Sequence, residues 1–148
     1  MAVGRVLGLD YGTVRIGVAV SDALGITARP VRSIEAAGFE DELGDLLEEL
    51  DPVAVVIGLP TSLAGVEGAS AAGARALGAL IEARTGMRVE FADERFTTAR
   101  ADELLARSVR DRRARRDRVD ATAAAVMLQS WLDARAGQAR GNPRYAPE

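Results

Sequence analysis

The sequence predicts an α/β domain with a mixed five-stranded sheet flanked by helices. Two short apolar segments rich in β-branched residues open the chain on either side of a turn, which is typical of an antiparallel strand pair. The apolar spacing then changes to a helical period, and helices alternate with strands. The 148 residues match the usual size of one domain. We therefore expect a single domain over residues 1–135 and a flexible tail over 136–148, where Gly, Pro and Arg recur.

The first three strands are predicted to form a meander. Residues 3–9 and 14–20 are the first two strands, and residues 10–13 are the hairpin turn between them. Val and Ile alternate with Arg, Gly and Ala in the second strand, so one of its faces belongs to the core. A third strand is expected near 26–34, and Pro30 marks it as an edge strand because proline has no amide hydrogen to donate.

The rest of the chain alternates between helix and strand. Leucines at positions 43, 46, 47 and 50 have the spacing of an amphipathic helix that begins near Phe39. The continuous apolar run at 53–58 predicts a strand buried on both faces. The elements expected after it are a helix at 69–84, a strand at 88–92, a helix from Thr97 or Thr98 to about 106, and a last helix at 118–135.

The composition excludes several kinds of site. The chain has no His and no Cys, so it cannot form a zinc site of the usual nitrogen and sulfur type, a disulfide or a His-activated nucleophile. All of its basic residues are Arg, which excludes a Walker-type phosphate loop. Any metal must therefore be bound by oxygen. We see neither a secretory signal nor an apolar run long enough to cross a membrane, so we expect a cytoplasmic protein without a membrane partner.

Acidic residues stand where two predicted strands end. Asp10 follows the first strand, a position where α/β sheets commonly carry ligand-binding groups. A structural alternative is that Asp10 only forms the turn. Asp93 and Glu94 follow the strand at 88–92, and alternation does not decide which of them faces the cleft, because a buried strand has no clear polar face.

A third acid, Asp120, is predicted to point inward. It shares a helical stripe with apolar residues four, seven, eight and eleven positions later, whereas Asp133 falls on the solvated side. Its alternative role is to stabilise the helix dipole, with Asp117 as N-cap. Three converging carboxylates would repel one another unless a cation lay among them. One or two Mg²⁺ or Mn²⁺ ions would suit such ligands, and two ions would support phosphodiester hydrolysis without His.

Positive charge is concentrated just before this helix. Residues 107–118 have a net charge of +5 in a chain whose total is −3. This asymmetry favours a polyanionic partner, such as a nucleic acid, over the alternative of a solvated linker. Aromatic residues are few, so we expect recognition of shape and backbone. The seven arginines are Arg107, Arg110, Arg112, Arg113, Arg115, Arg116 and Arg118.

Four segments together resemble the motif blocks of the YqgF family of RuvC-like nucleases. They are residues 8–22, 55–60, 92–101 and 119–133. The resemblance implies an RNase H-like fold. It also implies a nuclease that matures the 5′ end of the 16S ribosomal RNA precursor, or a Holliday junction resolvase. A resolvase acting on a four-way junction would suggest a homodimer.

The resemblance also implies roles for individual residues. It makes Asp10, Glu94 and Asp120 the metal-binding catalytic acids, and it selects Glu94 over Asp93. It favours Arg95 as a phosphate contact. Family members often have Lys where this chain has Val14, so the nucleic-acid contact expected in the first block falls to Arg15.

Two other classes of protein compete with a nuclease. Actin-like ATPases and sugar kinases also open with a strand, a turn containing Asp and Gly, and a second strand. They need two such lobes, and this chain supplies one. A domain of the same fold that binds nucleic acid without cutting it is the second competitor, and the three acids argue against it.

Overall fold

The computed structural model describes residues 4–59, 68–93 and 112–141. The predicted fold class is confirmed, since the structure has a mixed five-stranded sheet with helices on both faces. The strands are β1 (Arg5–Tyr11), β2 (Arg15–Ser21), β3 (Ala28–Glu35), β4 (Pro52–Leu59) and β5 (Arg88–Asp93). The helices are α1 (Phe39–Leu50), α2 (Ala69–Thr85) and α3 (Arg112–Gly141), with a 3₁₀ turn at Ala36–Gly38 before α1.

The strand order is β3-β2-β1-β4-β5. β1, β2 and β3 form the predicted antiparallel meander, whereas β4 and β5 run parallel to β1. β3 lies at the edge of the sheet, as Pro30 predicted, and the β2–β3 register shifts at the residue paired with this proline. The carboxyl ends of β1, β4 and β5 therefore meet at one edge of the sheet, where acidic residues were expected.

The two faces of the sheet have different cores. The face covered by α1 and α2 contains large side chains, including Leu7, Leu9 and Ile57 from the strands and the predicted leucine stripe of α1. The α3 face is packed with smaller residues, such as Ala19, Ala124 and Ala125. Small residues let the backbone of α3 approach the sheet closely, which brings polar groups of the helix near the strands.

A glutamine side chain fastens α3 to the edge of the sheet. The amide of Gln129 accepts a hydrogen bond from the backbone N–H of Ala28 at 2.9 Å and donates to the carbonyl oxygen of Ile26 at 2.9 Å. It therefore supplies a donor and an acceptor where the edge strand begins. This contact fixes the position of α3 across the meander.

The turn between β2 and β3 is held by Asp22. Its carboxylate accepts hydrogen bonds from the backbone N–H groups of Ile26 at 2.7 Å and Thr27 at 3.2 Å. The bond from Ile26 contributes most to lowering the pKa of Asp22 below its ordinary value, because it stabilises the charged form. This contribution to stability is present above the ordinary carboxyl pKa and is lost as the pH falls through the lowered one.

Two predicted boundaries were wrong. The first strand does not end at residue 9 but continues through Asp10 and Tyr11, so Asp10 lies in the sheet and not in the hairpin turn. The last helix begins at Arg112 and ends at Gly141, beyond both predicted ends at 118 and 135. Residues 136–141, which were expected in the tail, are helical. Arg and Ala are good helix formers, and this propensity extends the helix through segments without apolar periodicity.

The helix predicted from Thr97 or Thr98 lies outside the described residues. Within the described ranges, no helix combines the length and the apolar character that a membrane crossing requires.

Candidate active site

One row of paired residues crosses all five strands on the α3 face. Asp10 of β1 pairs with Gly17 of β2 on one side and with Gly58 of β4 on the other. Gly17 pairs in turn with Ser33 of β3, and Gly58 pairs with Ala92 of β5. Because paired residues project to the same face of a sheet, the side chains of Ser33, Asp10 and Ala92 share one face. Alternation along β1 identifies it as the α3 face, since a Cβ on Gly8 would meet the side chain of Leu128.

Asp10 is thus held rigidly in the middle of the sheet. Its backbone is paired on both sides, and its side chain is half-buried. Both of its lateral neighbours in the row are glycines, which place no side chain beside the carboxylate. The alternative of a turn-forming aspartate is therefore wrong.

Asp120 lies directly over this row. A Cβ built on Gly17 would meet the carbonyl oxygen of Asp120 and lie 2.5 Å from its carbonyl carbon. Only glycine at position 17 allows α3 to approach so closely. Since Gly17 is the direct partner of Asp10 and a Cβ at Asp10 points to the same face, Asp120 lies on the face of the sheet that carries Asp10, over the neighbouring strand. The predicted inward direction of Asp120 is confirmed, and Asp133 is exposed as expected.

The carboxylate of Asp120 is held by two strands. The guanidinium Nε of Arg15 donates to Oδ2 at 2.6 Å, and the hydroxyl of Ser33 donates to the same oxygen at 3.0 Å. The Arg15 and Asp120 side chains are 29% and 22% exposed, so this ion pair is partly shielded from water. A charge-assisted bond of this length at a half-buried position orients the carboxylate and offsets its charge.

The structure thus gives Arg15 a contact that was not expected. The family resemblance suggested a nucleic-acid contact for Arg15, whereas Arg15 pairs with a predicted metal ligand. Nucleic-acid binding by Arg15 stays a prediction.

The structure describes only some of the other predicted site residues. Glu94, Arg95 and Arg110 lie outside the described residues; Glu94 and Arg95 directly follow the end of β5 in the sequence. Within the described part of the chain, no three acidic residues form a group that could hold a metal. The structure therefore places two of the three predicted acids, Asp10 and Asp120, on one face of the sheet, and the triad stays a prediction. The helix that carries Asp120, α3, begins with four of the predicted nucleic-acid-binding arginines, Arg112, Arg113, Arg115 and Arg116.

Sequence reasoning missed two residues next to Asp120, Ser33 and Gly17. Ser33 lies in an edge strand without strict alternation, and nothing local distinguishes it from a solvated serine. Gly17 was treated as one of the small residues that alternate with Val and Ile. Its place opposite Asp10 follows from the hairpin register, which a correct turn assignment would have revealed.

Comparisons with known proteins identify the family of the chain and a counterpart of its fold. The family model described as "RuvX: Holliday junction resolvase" matches residues 4–134. A protein of Lactococcus lactis subsp. lactis (strain IL1403) is 43% identical over 138 residues, which cover 89% of this chain and 96% of that protein. A protein of Anaeromyxobacter sp. (strain Fw109-5) is 43% identical over 134 residues, covering 88% and 98%. Both carry the name "Putative pre-16S rRNA nuclease".

The fold has a counterpart among solved structures. RuvC from Thermus thermophilus, solved in complex with a Holliday junction substrate, superposes with a TM-score of 0.58 at 17% identity, covering 90% of this chain and 96% of RuvC. This likeness supports the RNase H-like fold predicted from the resemblance. The match of the family model over most of the sequence, together with relatives above 40% identity, shows that the chain belongs to the RuvX (YqgF) family.

Proposed function

We propose that this protein is a metal-dependent endonuclease that processes the 5′ end of pre-16S ribosomal RNA in the cytoplasm. The observation that carries the proposal is the placement of Asp120 over Gly17, the direct partner of Asp10 in the sheet. Two carboxylates from distant parts of the chain thus share one face at the carboxyl ends of the parallel strands. The names of the relatives supply the RNA substrate.

The donor set fits a hard divalent cation. The two acids offer only carboxylate oxygens, which Mg²⁺ and Mn²⁺ prefer. Arg15 offsets the charge of one acid, and Glu94, which follows β5, would add a third carboxylate. That third charge would leave the cluster with an excess of negative charge, which favours a bound cation. We therefore assign Asp10, Glu94 and Asp120 as the metal ligands.

The residues of this chain have separate tasks in hydrolysis. A bound Mg²⁺ or Mn²⁺ would activate water and stabilise the charge that develops on the phosphate oxygens. Asp10 is rigid because its strand is paired on both sides, and Arg15 and Ser33 orient Asp120. Fixed ligands keep the reacting groups aligned, which lowers the entropic cost of reaching the transition state. No His is needed as a base in such a site.

The first turns of α3 are the proposed nucleic-acid contact. Basic side chains are unfavourable near a helix N-terminus, and the first turn of α3 contains no acid. Phosphates would compensate both the arginine charges and the positive end of the helix dipole. Arg110, which belongs to the same arginine run in the sequence, is assigned to this contact by its charge, and Arg15 and Arg95 are assigned to it on the basis of the family resemblance.

The proposal is tested by cleavage of a defined precursor. A 5′-labelled RNA that spans the leader and the mature 5′ end of 16S RNA is incubated with the protein and Mg²⁺ or Mn²⁺, with a chelator as control. We expect a product that ends at or next to the mature 5′ end, formed only when the metal is present. Absence of metal-dependent cleavage of this RNA would overturn the proposal.

Resolution of Holliday junctions is the second candidate, because the matching family model carries that description. A labelled four-way DNA junction therefore belongs in the same assay. Paired symmetric nicks in the junction, with intact RNA, would favour this candidate. They would also require a two-fold dimer, which sedimentation analysis would detect.

The arginines of α3 should determine the salt dependence of binding. Replacing Arg112, Arg113, Arg115 and Arg116 by Gln should weaken RNA binding and lower the slope of log affinity against log salt, by up to about 0.7 for each phosphate that the variant no longer neutralises. Filter binding at several salt concentrations measures this slope. Arg84→Gln is the matched control, because Arg84 is exposed at the end of α2, on the opposite face of the sheet. An unchanged slope in the fourfold variant would show that these arginines do not touch the nucleic acid.

A further inference from the structure

The carboxylate of Asp120 receives both of its donors from described residues on a single oxygen. Arg15 donates from the start of β2 and Ser33 donates from β3, and both bonds end on Oδ2. An aspartate has two carboxylate oxygens, each of which accepts hydrogen bonds or binds a cation. Within the described ranges, both protein contacts end on one oxygen, which leaves the other, Oδ1, available for a further partner.

The contact from Ser33 follows from the sheet register. Ser33 pairs with Gly17, and Gly17 lies under the backbone of Asp120. The absence of a side chain at position 17 brings the helix close enough for the short hydroxymethyl group of Ser33 to reach the carboxylate. Ser33 is half-buried there, although β3 is an edge strand.

Ser33 and Arg15 differ in what they contribute to Asp120. Arg15 supplies a positive charge, which would compete electrostatically with a metal cation as well as orient the carboxylate. Ser33 is neutral, so its hydrogen bond orients the carboxylate without opposing a cation. Any effect on metal binding of removing the Ser33 hydroxyl therefore reflects the orientation of the Asp120 carboxylate and not its charge.

We propose that Ser33 is a positioning residue that fixes Asp120 for metal binding. It acts through Oδ2 and would leave Oδ1 available to a cation. This inference rests on the proposed function, because it requires that Asp120 be a metal ligand. Hydrogen-bond partners of metal ligands commonly change metal affinity or activity by 10- to 100-fold when they are removed.

The test measures Mn²⁺ binding to the full chain by calorimetry, without nucleic acid. We expect Ser33→Ala to raise the dissociation constant for Mn²⁺ about 10-fold, whereas Ser33→Thr, which keeps the hydroxyl, stays near wild type. The control is Thr85→Ala. The Thr85 hydroxyl donates to the carbonyl oxygen of Ile81 at 2.6 Å at the end of α2, so its loss should leave Mn²⁺ affinity unchanged.

A second pair of variants separates positioning from folding. Ser33→Thr and Ser33→Val differ only in a hydroxyl and a methyl group, and both are suited to a strand. The valine variant should bind Mn²⁺ more weakly than the threonine variant and should cleave RNA with a lower kcat at unchanged KM. A merely structural role would lower the melting temperature without separating kcat from KM.

The outcomes distinguish the two proposals. Equal Mn²⁺ affinities in the threonine and valine variants, with a wild type that binds Mn²⁺ and cleaves RNA, would overturn the role of Ser33 and leave the proposed function intact. A wild type that binds no Mn²⁺ would overturn both.

Discussion

Replacing Asp10 by Asn should lower metal-dependent cleavage more than about 100-fold, since loss of a direct ligand should exceed the typical effect of losing a ligand's partner. Asn keeps the shape of the side chain but removes the negative charge that binds the cation. Folding should be preserved, because the backbone pairing of Asp10 with Gly17 and Gly58 does not involve the side chain. Single-turnover cleavage of the RNA precursor measures the effect.

A matched control for this variant is Asp45→Asn, which removes a negative charge from an exposed position on α1. It should cleave at the wild-type rate. Binding of RNA by the Asp10→Asn variant in the absence of metal should be unchanged or slightly tighter, because one repulsive charge has been removed. Cleavage at the wild-type rate by this variant would show that Asp10 is not a ligand and would favour a domain that binds nucleic acid without this chemistry.

Replacing Gly17 by Ala should cause the largest loss of stability among simple glycine substitutions in this sheet. The new methyl group would collide with the backbone of Asp120, and a backbone cannot turn aside as a flexible side chain can. We expect the free energy of unfolding to fall by about 3 kcal/mol, the upper end of the usual range for overpacking. Urea unfolding measures the loss, and calorimetry with Mn²⁺ should show weaker binding as α3 is pushed away.

Two further glycines calibrate this prediction. Gly44 lies inside α1 with no atoms within 4 Å of a built Cβ, so Gly44→Ala should raise the free energy of unfolding by about 0.5–1 kcal/mol. Gly8→Ala should have an intermediate effect, because its Cβ would lie 3.0 Å from the nearest atom of Leu128, a tight contact but a less severe one than at Gly17. If Gly17→Ala were as stable as wild type, the close approach of α3 to β2 would be wrong.

Local sequence patterns were sufficient to predict most of the helices and strands. The leucine stripe of α1 and the apolar run of β4 are properties of consecutive residues, and both were predicted close to their observed bounds. Boundaries were less predictable where no apolar period was present. Asp10 and Tyr11 extend β1 because sheet pairing continues past the apolar run, and the arginine-rich start of α3 is helical without an apolar period.

The sequence alone determined which segments form helices and which form strands. It also excluded His and Cys as metal ligands and indicated that Asp120 points inward. These depend on composition and on side-chain periods that are read along a single segment. Only the tertiary structure decided that Gly17 lets the backbone of Asp120 approach the sheet and that Arg15 and Ser33 bind its carboxylate. Arg15 and Asp120 are 105 positions apart in the chain. Which residues meet across such a distance depends on strand register and helix packing, and no local pattern contains that information.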